Sequence, residues 1–201
     1  DVAYSSALGT AEATDVSVQG NSLIFAGTAD ETQVINVTIV GDDIVEEGET
    51  FTITLGDVSN TSITTGAVSN GLINNDDSAI LTISDITETE TDSDFTVQAT
   101  VTLSAEVEGG FDVAYSLGLV TAEATDVTVQ GSSLSFAGQV GETQTIDVVI
   151  IGDDIVEDDE TFTITLGDVT VASITSGAVS DGLILNDDSA VLTISNIAET
   201  E

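Results

Sequence analysis

The acidic stretch Gly152-Asp-Asp-Ile-Val-Glu-Asp-Asp-Glu-Thr-Phe162 has a close copy earlier in the chain, Gly41-Asp-Asp-Ile-Val-Glu-Glu-Gly-Glu-Thr-Phe51. Each copy follows an apolar run and precedes a strict alternation of apolar residues with threonine, as in Phe162-Thr-Ile-Thr-Leu166. Alternation with a period of two is typical of a half-buried β-strand. Both copies are therefore predicted to be acidic loops between two strands.

The carboxylates of each acidic loop need a positive counter-charge. The chain contains 37 Asp and Glu residues and no Lys, Arg or His. Repulsion within each turn must therefore be relieved by a cation from solution, and Ca²⁺, which takes about six to eight oxygen ligands, is the obvious candidate. Zinc and copper are disfavoured, because Cys and His are both absent.

The composition indicates a folded β-protein rather than a disordered acidic tail. Hydrophobic residues make up 41% of the chain and the mean hydropathy is +0.30, despite a formal net charge of −37. The abundance of Val, Ile and Thr and the absence of Pro favour strands. No apolar run approaches the roughly 18 residues of a membrane-spanning helix. We expect no direct membrane insertion and, given the uniform negative charge, no nucleic-acid partner.

The chain is a tandem repeat with an offset of 111 residues. Residues 1–90 align without a gap on residues 112–201, and most aligned positions are identical. A period of this length indicates tandem domains rather than a short-unit solenoid. We assign 1–77 to the C-terminal part of a repeat that lacks its first two strands, 78–188 to a complete repeat, and 189–201 to the first strand of a following repeat. We expect the chain to be a segment of a longer array.

The complete repeat is predicted to be all-β. Residues 95–103 alternate between apolar and polar side chains, as a half-buried antiparallel strand does. Short strands of this kind, separated by Gly, Ser and Asp, predict an immunoglobulin-like, seven-stranded antiparallel β-sandwich. The predicted strands are Leu81–Asp85, Phe95–Ser104, Phe111–Leu117, Ser133–Ala137, Gln144–Ile151, Thr161–Leu166 and Gly182–Leu185.

The order of the motifs resembles the Calx-β domain. The resemblance rests on the acidic loop together with Phe111-Asp-Val-Ala-Tyr-Ser116, Thr121-Ala-Glu-Ala-Thr-Asp126 and Leu183-Ile-Leu-Asn-Asp-Asp188. It covers the whole of 78–188 and, truncated, 1–77. The resemblance implies a calcium-binding β-sandwich, and the near-identical acidic copies are most similar to the tandem arrays of bacterial surface adhesins.

The resemblance also implies that acids from separate segments hold calcium at one end of the sandwich. In the complete repeat the matching residues are Glu90 (with Glu88 as a neighbouring candidate), Asp126, Asp153, Asp154, Glu157, Glu160, Asp187 and Asp188. In the partial repeat they are Asp15, Asp42, Asp43, Glu46, Glu49, Asp76 and Asp77. Gly152 and Asn186, like Gly41 and Asn75, stand where some members carry a further acid. Fewer ions or weaker binding are expected to follow.

The absence of a linker between repeats predicts that calcium stiffens the junction between them. The terminal Asp-Asp pair abuts the next repeat, so an ion held there should neutralise repulsion at the junction and stiffen the array. Together with the resemblance to the bacterial arrays, this implies a non-catalytic, calcium-binding structural repeat in an extracellular stalk or filament of a large bacterial surface adhesin, serving attachment, gliding or matrix roles. Its expected partners are neighbouring repeats of the same chain and, where a fibre forms, other copies.

Other function classes are less well supported by the sequence. Without His, Cys or Lys the chain lacks a conventional base, thiol nucleophile or Schiff-base amine, and without Trp it lacks a platform for a sugar, so we expect no catalysis. A calcium-sensing regulatory domain pair is an alternative, although near-identical copies and missing basic docking residues argue against it. A ligand-binding adhesin module is another, although repeated units more often form the stalk.

Overall fold

A computed structural model of the chain describes residues 1–58, 60 and 62–200. The chain divides into two compact units, Asp1–Asp77 (unit 1) and Ser78–Glu201 (unit 2). Regular structure throughout the described residues is β-strand, which confirms the all-β prediction. That part of the chain has no helix with the length and apolar character needed to cross a membrane.

Unit 1 forms one four-stranded sheet and one two-stranded sheet. Its strands are β1 (Val2–Leu8), β2 (Val16–Val18), β3 (Ser22–Leu23), β4 (Val37–Ile39), β5 (Glu49–Val58) and β6 (Val68–Ile73). The larger sheet has the order β3-β1-β5-β6, and the smaller pairs β2 with β4. A buried cluster of Ala11, Val16 and Phe51, with Ile53 and Ile73 packed against it, forms the core.

Unit 2 forms two five-stranded sheets. Its strands are β7 (Ala79–Ile83), β8 (Ile86–Thr89), β9 (Phe95–Leu103), β10 (Phe111–Leu119), β11 (Val127–Val129), β12 (Ser133–Phe136), β13 (Thr143–Ile150), β14 (Glu160–Leu166), β15 (Ile174–Thr175) and β16 (Val179–Leu185). One sheet has the order β12-β10-β14-β16-β8 and the other β11-β13-β9-β7-β15. This arrangement confirms the predicted sandwich class.

The strand list of unit 2 differs from the predicted seven antiparallel strands. The predicted strand Leu81–Asp85 is replaced by β7 and β8, which lie in different sheets, and β11 and β15 are additional. β7 pairs with β15 and β8 with β16 in parallel, whereas only antiparallel pairing is predicted. Strands of two to four residues carry too little alternation to be recognised from the sequence.

The strand predicted within 189–201 does not form in this structure. Residues 190–200 have no regular structure, and Val191, Leu192 and Ile194 are exposed. The equivalent strand β7 is held by backbone pairing with β9 and β15. No strand among the described residues pairs with residues 190–200.

The core of unit 2 lies between its two sheets. Every second residue of the long strands is buried while the residues between them remain more accessible, as the alternation predicts. The core positions of β9, β13 and β14, each at most 1% exposed, are Ala99, Val101, Leu103, Ile146, Val148, Ile150, Phe162, Ile164 and Leu166.

The chain crosses from one sheet of unit 2 to the other between β7 and β8. Two hydrogen bonds from β16 hold this crossing. Ser180 Oγ donates to the carbonyl oxygen of Ser84 over 2.8 Å, and the Asp181 backbone N–H donates to Asp85 Oδ1 over 2.9 Å. Ser180 is fully buried. The crossing sets β8 parallel to β16, so both strands run toward the same end of the sandwich.

Ser180→Ala is expected to lower the free energy of unfolding by about 1 kcal/mol, because the Ser84 carbonyl loses its buried donor. Denaturant unfolding followed by circular dichroism measures this loss. Ser69→Ala is the matched control, since Ser69 is the equivalent residue of unit 1 and is exposed. Equal stability changes for the two variants would show that this hydrogen bond does not hold the crossing.

Candidate metal centre

Strand pairing brings the acidic segments of unit 2 to one end of the sandwich. The loop 152–160 leaves the end of β13, where Ile150 pairs with Val127 of β11. The same loop enters β14, whose first residue Glu160 pairs with Ile184 near the end of β16. β8 ends beside β16 because the two strands are parallel. Three segments therefore lie beside the acidic loop: the residues just before β11, those just after β8 and those just after β16.

The inner cluster consists of Asp126, Glu157 and Glu160. One carboxylate oxygen from each residue lies within 4.8 Å of the other two. Asp126 is 7% exposed, and its carboxylate accepts hydrogen bonds from the Glu123 backbone N–H over 2.5 Å and from Thr125 Oγ1 over 2.9 Å. These bonds fix the orientation of the Asp126 carboxylate before any cation binds.

The carboxylates of the inner cluster perturb one another's pKa values. Burial raises the pKa of Glu160, and the hydrogen bond to Asp126 with the charges of Asp126, Glu157 and Glu90 raises it further, to about 7. Burial also acts to raise the pKa of Asp126, but hydrogen bonds from the Glu123 amide, from Glu160 and from Thr125 outweigh it and lower that pKa. Glu160 therefore holds the proton of the pair, at a place where a cation would relieve the same repulsion.

The terminal cluster consists of Glu90, Asp187 and Asp188, whose carboxylate oxygens also lie within 4.8 Å of one another. Glu90 follows β8 directly and is 5% exposed. Burial raises the pKa of Glu90, and the charges of Glu157, Asp153, Asp187 and Asp188 add to the effect. A buried carboxylate among like charges is unfavourable unless a cation accompanies it.

The outer cluster consists of Asp92, Asp154 and Asp188, again within 4.8 Å. It shares Asp188 with the terminal cluster, and it includes Asp92, which the sequence analysis does not predict. Burial raises the pKa of Asp188, followed by the charges of Asp187, Asp154, Asp92 and Asp153. Asp92 lies in a bend between β8 and β9, two residues after Glu90. The signal that the sequence offered was a further acid in the same loop as Glu90.

Asp153 lies near these clusters but belongs to none of them in the described residues. Its Oδ1 accepts a hydrogen bond from the Ile155 backbone N–H over 2.6 Å. Its charge nevertheless raises the pKa values of Glu90, Glu157 and Asp188. In this structure Asp153 shapes the acidic loop, and the alternative candidate Glu88 lies in β8 outside the clusters.

Unit 1 repeats the inner cluster. Asp15, Glu46 and Glu49, each 111 residues before its counterpart, place carboxylate oxygens within 4.8 Å of one another. A cavity of about 80 Å³ opens beside them, and its lining includes six of the seven predicted ligands: Asp15, Asp42, Glu46, Glu49, Asp76 and Asp77. The seventh, Asp43, does not line this cavity. Burial raises the pKa of Asp77, and the charges of Asp76, Asp43 and Asp42 raise it further.

Asn186 links the acidic loop to the terminal Asp187-Asp188 pair through hydrogen bonds. Its Oδ1 accepts hydrogen bonds from the Glu157 and Asp188 backbone N–H groups, each over 3.3 Å, and its Nδ2 donates to the Asp188 carbonyl oxygen over 3.0 Å. Asn75 makes the equivalent bonds to Glu46 and Asp77 in unit 1. The asparagine joins the acidic loop to the terminal pair, and an aspartate there would lack the Nδ2 donor.

The donor set fits a hard divalent cation. Every proposed ligand is a carboxylate oxygen, and the chain has no thiol or imidazole that would favour a softer metal. Asp188 Oδ2 is buried and, within the described part of the chain, has no hydrogen-bond partner. A cation at the terminal and outer clusters would satisfy this oxygen and offset the surrounding negative charge.

Comparison with known proteins identifies the family. The Calx-beta domain family model matches residues 1–87 and 74–188. An apo-form Calx CBD1 domain is 23% identical, with a TM-score of 0.46, covering 56% of this chain and 100% of that chain. CBD12 from CALX1.2 is 24% identical, with a TM-score of 0.47, covering 54% of this chain and 46% of that chain. The calcium binding domain CBD12 of CALX1.1 is 17% identical, with a TM-score of 0.39, covering 92% of this chain and 86% of that chain. Among curated proteins no significant match is found.

Without calcium, the stability of unit 2 is expected to fall as the pH rises. The folded-state pKa of Glu160, about 7, lies above its ordinary value of 4.5. The folded protein therefore binds this proton more tightly than the unfolded chain, and the resulting stability is complete below pH 4.5 and lost as the pH rises through about 7. We expect Glu160→Gln to raise the Tm in chelator at pH 7.5 and to make the Tm depend less on pH between pH 4.5 and about 7.

Thermal unfolding in chelator between pH 4.5 and 8 measures this effect. Asp158→Asn is the control, because Asp158 lies in the same loop, is exposed and belongs to none of the described clusters. The interpretation fails if the Tm profile of Glu160→Gln overlays that of the wild-type protein.

Proposed function

The chain belongs to the Calx-beta domain family, and from that premise we propose that it is a calcium-binding structural repeat of an extracellular stalk or filament. The whole protein would be a large bacterial surface adhesin, and the role of these units would be mechanical rather than catalytic. The observation that carries the proposal is the repetition of one carboxylate cluster, Asp15, Glu46 and Glu49 in unit 1 and Asp126, Glu157 and Glu160 in unit 2.

Ca²⁺ is the ion that best suits these clusters. The family resemblance implies it, and oxygen-only donors from several separate loops match its large and adaptable coordination shell. Mg²⁺ demands a smaller octahedral shell and retains its waters, so it suits a site of many carboxylates less well. The Glu90 and Asp188 carboxylates are surrounded by like charges, so a divalent cation would relieve repulsion there.

A mechanical role is supported by the way the units follow one another. Only Ser78 separates Asp77, the last acid of unit 1, from β7, the first strand of unit 2. A cation that fixes the terminal acids would restrain the backbone at the point where one unit ends and the next begins. Many such points in series would turn a flexible array into a stiff one.

The extracellular location and the partners belong to the same proposal. An exposed fibre benefits from a chain without Lys or Arg, because trypsin-like proteases have no cleavage site in it. A uniform charge of −37 also opposes mispairing between similar neighbouring units. The proposed partners are neighbouring repeats and, in a fibre, other copies of the chain. Attachment, gliding and matrix roles are all compatible with these features.

Calcium is expected to raise the thermal stability of the chain, since a ligand that binds only the folded state stabilises it by about 2.7 kcal/mol at a concentration roughly 100 times its Kd. We expect a rise in Tm from chelator to millimolar Ca²⁺ that equal Mg²⁺ does not reproduce. The double variant Glu46→Ala/Glu157→Ala, which removes one ligand from each inner cluster, should lose most of that rise.

The double variant Glu108→Ala/Asp168→Ala is the control, because it removes the same charge from exposed positions outside the clusters. Calorimetric or circular-dichroism melts measure the Tm. If the Tm of the wild-type protein does not respond to Ca²⁺, the proposed calcium-binding function is wrong.

Calcium is also expected to stiffen the chain, because an ion held by the terminal acids restrains the boundary between units. Small-angle X-ray scattering of the wild-type chain should change between chelator and millimolar Ca²⁺, toward a narrower range of interunit distances. Superimposable scattering profiles combined with a normal rise in Tm would leave calcium binding intact and reject the mechanical role.

A further inference from the structure

The outer edge of β6 in unit 1 has no partner strand among the residues that the structure describes. In unit 2 the equivalent strand, β16, carries β8 in parallel on that edge, with Gly182 paired to Ile86. The side chains show the difference, because Ser180 of β16 is fully buried whereas Ser69 of β6 is exposed. An edge strand presents a row of unpaired N–H and C=O groups to which another strand can bind.

The chain contains a second copy of the sequence that covers this edge. Residues 190–200, the exposed segment, repeat residues 79–89, from which β7 and β8 form. Ile86 is 5% exposed in unit 2, whereas its counterpart Ile197 is 87% exposed. In the described part of the chain the same sequence is therefore packed in one place and without a partner strand in the other.

Neither side of this contact carries charge where the two would meet, although the chain is strongly acidic. β6 lies within residues 58–75, and neither that range nor residues 190–198 of the exposed segment contain an Asp or a Glu. Charged side chains are a common means by which edge strands are kept from pairing with other chains. The edge of β6 and the exposed segment lack this protection, so they can approach without repulsion between carboxylates.

Two differences between the repeats fall on the same contact. Asp85 and Asp181 lie together at the crossing of unit 2, where the Asp181 backbone N–H donates to Asp85 Oδ1 over 2.9 Å. Their counterparts are Asn196 in the exposed segment and Asn70 in β6. Pairing of these two segments therefore replaces two neighbouring carboxylates by two amides, which donate hydrogen bonds as well as accept them.

The chain enters unit 2 at one end of the sandwich and leaves it at the other. β7 begins at the end of β9 marked by Leu103, with which Leu81 pairs. The opposite end of β9, Phe95, pairs with Ile150, after which the acidic loop begins, and β16 ends beside that loop. The exposed segment therefore starts far from Ser78, the residue that joins the two units, and this direction favours a second copy as its partner.

We propose that residues 190–200 of one copy add to the open edge of β6 in a second copy, in the register in which β8 pairs with β16. Ile197 then pairs with Gly71, and Ala198 with Leu72, by analogy with the pairs observed in unit 2. Strand addition of this kind is carried by backbone hydrogen bonds and apolar side chains. Since each copy has one such edge and one such segment, copies join head to tail. The proposal rests on the proposed function in naming other copies as partners, and it assigns the surfaces that join them.

Disulfide cross-linking tests this contact, because the chain has no cysteine of its own. Leu72→Cys and Ala198→Cys are made in separate chains, mixed and oxidised. Neighbouring strands lie about 4.8 Å apart, within the range of Cα separations that a disulfide spans. We expect the mixture to give a cross-linked dimer in clear excess over either variant alone. Leu72→Cys mixed with Glu199→Cys is the register control and should give no such excess, because successive side chains of a strand point to opposite faces.

Sedimentation of the full chain is a second measurement that needs no disulfide. The wild-type protein is expected to self-associate as its concentration rises. Asn70→Asp/Asn196→Asp should weaken this association by about twofold to fivefold, because like charges on neighbouring strands are destabilising. Asn21→Asp/Gln130→Glu adds the same charge at exposed positions outside both segments and should associate as the wild-type protein does.

The outcomes separate this contact from the calcium-binding function. A disulfide that forms only within single chains of the double variant Leu72→Cys/Ala198→Cys would show that the segment folds back on its own chain, and would overturn the proposal. A monomeric wild-type protein, or equal cross-linking in the register control, would overturn it as well. Both experiments are run in chelator and in millimolar Ca²⁺. Strand addition uses no cation, so a chain that binds no Ca²⁺ would still cross-link, and a failure to cross-link would leave calcium binding intact.

Discussion

The structure depends on holding carboxylates close together in a chain that has no cationic side chain to neutralise them. In unit 2 three clusters place carboxylate oxygens within 4.8 Å, and the chain contains no Lys, Arg or His. The repulsion is opposed by the apolar core between the sheets, whose long strands bury every second residue. Because the strand ends are fixed by this core, the acids cannot spread apart without loss of packing. The fold thus creates a concentration of negative charge that a divalent cation could offset.

Much of this arrangement follows from sequence periodicity. The alternation in 95–103 and in Phe162-Thr-Ile-Thr-Leu166 predicts β9 and β14, and the acidic loop between two strands predicts where carboxylates concentrate. The inner cluster of each unit consists entirely of predicted ligands. Periodicity succeeds here because long strands with one buried face leave only one register that buries the apolar residues.

The remainder depends on contacts that periodicity does not contain. The crossing between β7 and β8 is held by Ser180 and Asp181, almost 100 residues away in sequence. Asp92 reaches the site only because Gly152 permits close backbone contact, and Asn186 acts through three hydrogen bonds rather than as a ligand. The sequence alone indicates Gly152 and Asn186 as positions where an acidic ligand has been lost. In the structure Gly152 allows two backbone segments to approach each other, and Asn186 joins two segments by hydrogen bonds.

The clusters of unit 2 also differ in which parts of the chain they join. The inner cluster draws on residues 126–160, so a cation there closes a short loop within the middle of the unit. The terminal and outer clusters join Glu90 and Asp92, which follow β8, to Asp187 and Asp188, which follow β16, and so connect the first strands of the unit to the last. Because a cation that binds only the folded state stabilises by mass action, its contribution at each cluster depends on its affinity there. A cation at the terminal and outer clusters would hold the residues that follow β8 beside those that follow β16, and so support the parallel pairing that the crossing between β7 and β8 creates.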